Sequence, residues 1–308
     1  MKCAVIGGAN IDIGGFPVGG MLPGDSIPGR VRRSAGGVGL NIACNLSRLG
    51  VETHLIAALG SDAFADILRA ACHEAGVHLE HALTFDADSS VYLYIADAAG
   101  EMALAVNDMA LCERLTPEAL SEKLEFLNRM DAVVLDANLP GRTLTWLAEN
   151  LRPPLIADAV STSKARRLLP ALPRLEMVKP NALEAAALSG LPVEDTGSAS
   201  DAARQLLRMG ARQAFVTLGA RGVVCADADA CRFIPAVPVR LVNATGAGDA
   251  FTAALTWAHL RGFNLADRAR AGLAASALCA ESPDAVSPNL TAEAVLERMQ
   301  RYYSYSNL

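Results

Sequence analysis

Short apolar runs alternate with helix-length segments along most of this chain, and that alternation limits the folds it can adopt. The runs, each of strand length, are Cys3–Ile6, His54–Ala58, Ala132–Leu135, Leu155–Ala157, Met177–Val178, Ala214–Thr217 and Val223–Cys225. Such continuously apolar runs are typical of strands buried on both faces of a parallel sheet. The order predicts an α/β fold in which helices cover both faces of a mostly parallel central sheet.

The intervening segments carry helix signals. Apolar residues recur at helical spacing over Leu40–Leu49, Asp62–Ala75 and Ser200–Met209, and a glycine follows each of the three. Glycine just past the last turn is a common helix terminator. A fourth segment, Pro117–Asn128, begins behind Thr116, which we expect to be its N-cap.

Two stretches interrupt the alternation. Residues 11–33 are rich in glycine and proline, and residues 89–106 read as two strands around a turn near Ala99 and Gly100. We expect both stretches to form a small antiparallel sheet, a lid, inserted into a single domain of residues 1–308. Because a sheet of few strands is marginal alone, the lid should pack on the main domain or on another subunit.

Composition excludes several classes of function. With 52% hydrophobic and 19% charged residues, the chain can bury a large aliphatic core. Its net charge of −6 and lack of a basic run argue against a nucleic-acid partner. No apolar run reaches the roughly 18 residues of a membrane span, and the seven scattered cysteines form no C-x-x-C pair. We expect a cytoplasmic protein with reduced thiols and no membrane partner.

The most specific motif is the segment Asn243–Phe251, whose central residues read Thr-Gly-Ala-Gly-Asp. It stands at the start of an apolar helix, where backbone N–H groups and the helix dipole favour an anion. Gly246, Ala247 and Gly248 can therefore hold developing phosphoryl charge without a lysine. Asp249 could take the proton of an attacking hydroxyl, or it could simply complement the helix dipole.

Two further motifs admit a structural and a functional reading. Asn181 and Glu184, three residues apart, form a capping-box pattern. The segment Val216–Val223 predicts two strands joined by a turn in which Gly222 serves the backbone. Neither of these structural roles excludes a contact with a ligand.

Polar residues of the N-terminal part could bind a small polar substrate. Gly36 and Gly37 would let it lie against backbone, and Asn41 offers a donor and an acceptor. A dinucleotide fingerprint fails here because Ile42 stands where the third glycine belongs. Asp12 and Asn138 each follow a predicted strand, where open α/β sheets bind ligands.

These motifs, in this order, resemble those of the ribokinase-like (PfkB) carbohydrate kinase family over nearly the whole chain. The resemblance implies a three-layer α/β/α fold and a kinase that uses ATP and Mg²⁺. It implies Asp249 as catalytic base and residues 246–248 as the anion hole. Relatives place an acidic residue where Asn243 stands, and losing that charge puts activation by a monovalent cation in doubt. Relatives often form homodimers through the lid.

The resemblance also implies roles for other residues. Those expected to approach the nucleotide are Asn181, Thr217, Gly219, Gly222 and Thr245. Glu184 is expected near Mg²⁺, through water. Those expected at the acceptor are Asp12, Gly37, Asn41, Asn107 and Asn138. For Asn107 a simple turn is the alternative reading.

The prediction of which molecule accepts the phosphoryl group rests on shorter sequence segments. Ribokinase-type sequences carry lysine after the second glycine of the N-terminal motif, whereas this chain has Val38. Five segments resemble the branch that phosphorylates pseudouridine on its 5′-hydroxyl: 8–12, 36–39, 106–109, 158–164 and 286–290. Two alternatives remain. One is a kinase for ribose, an adenosine-like nucleoside, 2-keto-3-deoxygluconate or a phosphorylated hexose. The other is a sugar or nucleoside sensor without catalysis.

Overall fold

A computed structural model of the protein describes residues 1–19, 24–97 and 102–303. Its strands are β1 (Lys2–Ile6), β2 (Asn10–Pro17), β3 (Gly29–Gly36), β4 (Glu52–Ile56), β5 (Ala58–Leu59), β6 (Leu83–Thr84), β7 (Val91–Ala96), β8 (Met102–Asp108), β9 (Ala132–Asp136), β10 (Leu155–Asp158), β11 (Leu175–Lys179), β12 (Ala214–Thr217), β13 (Gly222–Ala226) and β14 (Cys231–Pro235).

The helices are α1 (Val38–Arg48), α2 (Ala63–Glu74), α3 (Pro117–Leu120), α4 (Leu124–Leu127), α5 (Gly141–Asn150), α6 (Thr162–Ala165), α7 (Ala182–Ser189), α8 (Thr196–Arg208), α9 (Ala247–Leu260), α10 (Leu265–Ala280) and α11 (Ala292–Tyr303). Short 3-10 turns occupy Ala110–Arg114, Ser121–Lys123, Arg166–Arg174 and Gly219–Arg221.

The central sheet has eight strands in the order β14-β13-β12-β11-β10-β9-β1-β4. From β4 to β12 every neighbouring pair is parallel, and only β13 and β14 run antiparallel to their neighbours. Alternate residues of each strand enter opposite cores. In β1, Cys3 and Val5 pack in the core with α1, α9 and α10, while Ala4 and Ile6 pack in the core with α5 and α8. The predicted α/β arrangement is therefore confirmed.

The lid is a separate four-stranded sheet in the order β3-β2-β7-β8. The two hairpins β2–β3 and β7–β8 are antiparallel, but their central strands β2 and β7 pair in parallel. The expectation of a purely antiparallel lid was wrong. The first strand of each hairpin lies at the centre and both run the same way. The turn predicted near Ala99 and Gly100 lies outside the described residues.

Other boundaries also differ from the sequence prediction. The segment 117–128 is not one helix, because a 3-10 turn separates α3 from α4, although Thr116 does accept from the Ala119 amide as the expected N-cap. The run His54–Ala58 is divided into β4, which pairs with β1, and β5, which pairs with β6. Helix α8 starts early because Asp195 caps it. Within the described ranges, no helix is long and apolar enough to cross a membrane.

Candidate active site

Charged side chains collect where three neighbouring central strands end. Asp136, Asp158 and Lys179 are the last residues of β9, β10 and β11, and all are buried. Carboxyl ends of parallel strands share one edge of the sheet, and open α/β sheets bind their ligands there. Helix α9 begins at the same edge. Thr252 Oγ1, in its second turn, donates a hydrogen bond to Asp158 Oδ2 at 2.7 Å.

The first turn of α9 has a backbone that requires glycine. Gly246 is the N-cap, with a left-handed φ of 82°, and a Cβ there would collide with the carbonyl oxygen of Ala285. Gly248 and Asp249 follow in the first turn, where backbone N–H groups have no intrahelical acceptor. A helix N-terminus of this geometry favours an anion, which is the role predicted for residues 246–248.

Asp249 accepts a hydrogen bond from a residue in the N-terminal part of the chain. Asn41 of α1 donates from Nδ2 to Asp249 Oδ2 at 2.8 Å. Burial, with the Asp158 charge adding to it, raises the pKa of Asp249 to about 7, while the Asn41 hydrogen bond and the Lys179 charge oppose the rise. A carboxylate with a pKa near 7 is matched to proton transfer at neutral pH. Asn41 Oδ1 is buried and has no hydrogen-bond partner among the described residues.

A buried ion pair lies beneath this turn. Lys179 Nζ contacts Asp158 Oδ2 at 2.8 Å, and the same ammonium group lies 3.4 Å from the carbonyl oxygen of Gly248. Burial opposes the charge of Lys179, but the carboxylates of Asp158 and Glu184 outweigh it and raise the lysine pKa. The lysine thus connects the sheet edge to the first turn of α9.

Asp136 organises the neighbouring loops. It accepts from the Gly8 amide at 2.8 Å and from the Asn138 amide at 2.9 Å. Burial raises the pKa of Asp136 to about 6, although these hydrogen bonds oppose the rise. The Asn138 side chain is engaged within the protein: Nδ2 donates to Asp136 at 3.1 Å, and Oδ1 accepts from Lys164 Nζ at 2.6 Å.

The acceptor-side residues of the lid share one face. The strand register pairs Asp12 with Tyr92, and Tyr92 with Asn107, so the three side chains form a row across the sheet. Asp12 accepts from Asn10 Nδ2 at 2.7 Å. Burial raises the pKa of Asp12 against that hydrogen bond. The row ends in Asn107, which is exposed.

Gly37 lies between the lid and α1. It is the N-cap of α1 with a φ of 101°, and a Cβ would lie 2.6 Å from the carbonyl oxygen of Gly8. Only glycine fits this approach, so the backbone of Gly37 lies directly against that of Gly8.

Two of the residues expected near the nucleotide, Asn181 and Thr217, lie next to each other, and Asn181 is a helix cap. The capping box of α7 is present: Asn181 Oδ1 accepts from the Glu184 amide at 3.0 Å, and Glu184 Oε2 accepts from the Asn181 amide at 2.8 Å. Asn181 pairs with Thr217 through an isolated parallel bridge. These two residues therefore extend the same edge beyond β11 and β12.

Gly219 lies in the turn between β12 and β13, whereas Gly222, expected to serve that turn, is the first residue of β13 and pairs with Pro235 of β14. Thr245 is exposed in the loop before α9, and its amide donates to Asn243 Oδ1 at 2.9 Å. Asn243 Nδ2 donates to the Pro283 carbonyl at 3.0 Å. The side chain of Asn243 thus stabilises this loop.

The structure brings Asp249, Asn41 and the glycine turn together, and it adds residues that sequence reasoning missed. These are Asp136, Asp158, Lys179 and Tyr92. The signal for the two aspartates was available, because each directly follows an apolar run, just as Asp12 closely follows one. The pairing of Tyr92 with Asp12 had no local signal, since it depends on a parallel contact between distant strands.

The sequence matches the family model described as pfkB family carbohydrate kinase over residues 1–292. It is similar to the pseudouridine kinase of Escherichia coli, with 30% identity over 299 residues and 96% of each chain covered. It is also similar to the uncharacterized sugar kinase YeiI of the same organism, at 33% identity over 96% of this chain and 82% of that protein.

Two solved structures have a similar fold. A carbohydrate kinase from Agrobacterium tumefaciens has a TM-score of 0.86 at 34% identity, with 97% of each chain covered. The ribokinase of Arabidopsis thaliana, solved with ribose and ATP, has a TM-score of 0.86 at 23% identity, covering 97% of this chain and 98% of that one. The second likeness shows the fold alone.

Proposed function

This chain belongs to the PfkB family of carbohydrate kinases, and we propose that it transfers the γ-phosphoryl group of ATP to the 5′-hydroxyl of pseudouridine. Membership makes it a phosphotransferase with an alcohol acceptor, a sugar or nucleoside kinase. The observation that carries the catalytic assignment is the placement of Asp249 in the first turn of α9, directly after the glycine turn and within hydrogen-bond reach of Asn41.

Asp249 would act as general base. Its carboxylate takes the proton of the acceptor hydroxyl, the freed oxygen forms a bond to the γ-phosphorus, and the bond from that phosphorus to the bridging oxygen breaks to release ADP. The backbone of Gly246, Ala247 and Gly248 would stabilise the charge on the transferring group. Lys179 acts beneath this turn, where it offsets the charge of Asp158.

Asn181, Thr217, Gly219, Gly222 and Thr245 would hold the nucleotide. Glu184 fits a water-mediated hold on Mg²⁺. It is buried, and its two oxygens accept one hydrogen bond each from Asn181, which leaves lone pairs for water. When bound, the ion supplies positive charge next to the phosphates. The lack of charge at Asn243 argues against a required monovalent cation.

On the acceptor side, Asp12, Gly37 and Asn41 would bind the ribose. The buried Asn41 Oδ1 needs a donor, and a ribose hydroxyl supplies one. Asn107 would face the base from the far end of the lid row, while Asn138 would act through its own network with Asp136 and Lys164. The similarity to pseudouridine kinase over 96% of the chain supports this acceptor.

A coupled assay of ATP consumption across pseudouridine, uridine, adenosine, ribose and 2-keto-3-deoxygluconate tests the proposal. We expect the highest kcat/KM with pseudouridine. Faster turnover of ribose or another acceptor would show that the proposed substrate is wrong, while the assignment as a kinase would stand. An absence of turnover with every acceptor, in protein that still binds a nucleoside by calorimetry, would support the sensor instead.

The outer face of the lid supports the proposal of a homodimer. The register places Val31, Gly15, Ile95 and Leu104 in one row, on the face opposite Asp12. Val31 is 76% exposed and Leu104 61%. A second copy that covered this row would bury apolar surface on the outer face of the lid. Sedimentation should show a dimer that Leu104→Glu shifts toward monomer, and a monomeric parent chain would refute it.

A further inference from the structure

We propose that His54, His78 and Glu80 form a binding site for a transition-metal ion, with Zn²⁺ as the preferred ion. Each of the three side chains offers one ligand atom, and these atoms lie within 4.8 Å of one another. The cluster is on β4, the edge strand of the central sheet, and on the segment beside it. It shares no residue with the kinase site.

The backbone brings the three residues together. His54 and His78 pair across a parallel bridge, in which the His78 amide donates to the Thr53 carbonyl and the Leu55 amide donates to the His78 carbonyl, both at 2.9 Å. Glu80 lies in the turn that follows His78, and its carboxylate already contacts the His78 ring, so the backbone brings all three side chains to one place.

The distances suit a small tetrahedral ion. His78 Nδ1 lies 3.3 Å from Glu80 Oε1. Two ligands bonded at about 2.1 Å to one tetrahedral zinc ion lie about 3.4 Å apart. Without an ion, the His54 and His78 rings stack with 4.7 Å between their centroids. Because His78 and Glu80 are exposed, the His78 ring can rotate out of this stack so that its nitrogen and the Glu80 carboxylate meet His54 on one ion.

A second carboxylate, that of Glu52, contacts the His54 ring. Glu52, two residues earlier on β4, has Oε1 3.3 Å from His54 Nε2. Histidines that bind metals usually donate their other ring nitrogen to a carboxylate, which fixes the tautomer. The other ring nitrogen, His54 Nδ1, is buried without a hydrogen-bond partner among the described residues. The His54 ring is also held edge-on against Phe126, at 5.0 Å between centroids.

The donor set selects the ion. Two imidazoles and one carboxylate are suited to zinc and related transition metals, whereas Mg²⁺ prefers oxygen ligands and retains its waters. A zinc ion here would fasten residues 77–81 to the edge strand of the sheet. Water or a further side chain would fill its fourth position.

Isothermal titration calorimetry of tag-free, reduced protein, stripped of metal, with ZnCl₂ tests the site. We expect one zinc ion per chain, and at least about 10-fold weaker binding in His78→Asn and in Glu80→Gln. His73→Asn is the matched control, because His73 is an exposed histidine in the last turn of α2, outside the cluster. It should bind zinc as the parent does.

Thermal unfolding gives an independent readout, since an ion that binds the folded state alone raises Tm. Zinc should raise the Tm of the parent and of His73→Asn but not of His78→Asn, and MgCl₂ should not reproduce the effect. A parent protein that binds no zinc, or a His78→Asn variant that binds it as tightly as the parent, would overturn the proposal.

Discussion

The side-chain amide of Asn41 donates a 2.8 Å hydrogen bond to the carboxylate of Asp249, although 208 positions separate the two residues in the chain. One residue belongs to the expected acceptor motif and the other to the expected phosphate motif. Their contact therefore joins the two halves of the proposed reaction at a single carboxylate, which makes its chemistry the most direct target for tests.

Replacing Asp249 with asparagine should abolish the general base while preserving shape. We expect kcat to fall by at least about 100-fold, with little change in acceptor affinity measured by calorimetry. Asp66→Asn is a matched control, because Asp66 is an exposed aspartate in the first turn of α2. Turnover of Asp249→Asn close to that of this control would remove Asp249 from the base role.

The rate should depend on pH through the same group. Burial raises the pKa of Asp249 to about 7. Only the deprotonated carboxylate can accept a proton, so kcat/KM should rise about tenfold per pH unit below that value and level off above it. Initial rates between pH 5 and 9 measure the profile. A flat profile across pH 6 to 8 would contradict this assignment.

Removing Asn41 should move that profile. Its hydrogen bond stabilises the charged carboxylate and lowers the pKa of Asp249. In Asn41→Ala the acidic limb of kcat/KM should therefore shift to higher pH, and acceptor affinity should weaken as well. Asn45→Ala, four positions further along α1, is the control and should leave the profile unchanged. A shift to lower pH would show that Asn41 does not support the charged form.

Breaking the buried ion pair should cost stability. Lys179→Met leaves Asp158 buried without its cation, and such changes cost about 3–5 kcal/mol. Urea denaturation should show this loss, while Lys123→Met, at a partly exposed lysine, should change stability by about 0.5 kcal/mol or less. The double variant Lys179→Met with Asp158→Asn should recover part of the loss. Equal stability of Lys179→Met and Lys123→Met would contradict the role of the pair.

Sequence patterns predicted the α/β fold and the glycine turn before α9, because these depend on local spacing, and the motifs carried the resemblance to the family. Contacts between distant segments could not be predicted in the same way. The parallel pairing of β2 with β7, which sets Tyr92 beside Asp12, is one example. The contact between Asn41 and Asp249 is another, since nothing near either residue indicates the other.

The sequence prediction missed the charged residues at the ends of the central strands for a different reason. Apolar runs end where hydropathy falls, so the predicted strands stopped at Leu135, Ala157 and Val178. The structure extends each by one residue, to Asp136, Asp158 and Lys179. A charge can be buried there because partners from neighbouring strands and loops satisfy it, and those partners become visible only once the sheet is assembled.

The distance along the chain between α1 and α9 also determines when activity can first arise during synthesis. At about 5–20 residues per second, roughly 10 to 40 s separate the translation of position 41 from that of position 249. Until α9 has been made, the growing polypeptide contains Asn41 but neither Asp249, the proposed proton acceptor, nor the glycine turn proposed to hold the phosphate. A ribosome-bound fragment ending before α9 is therefore expected to be catalytically silent, however well its first strands have paired.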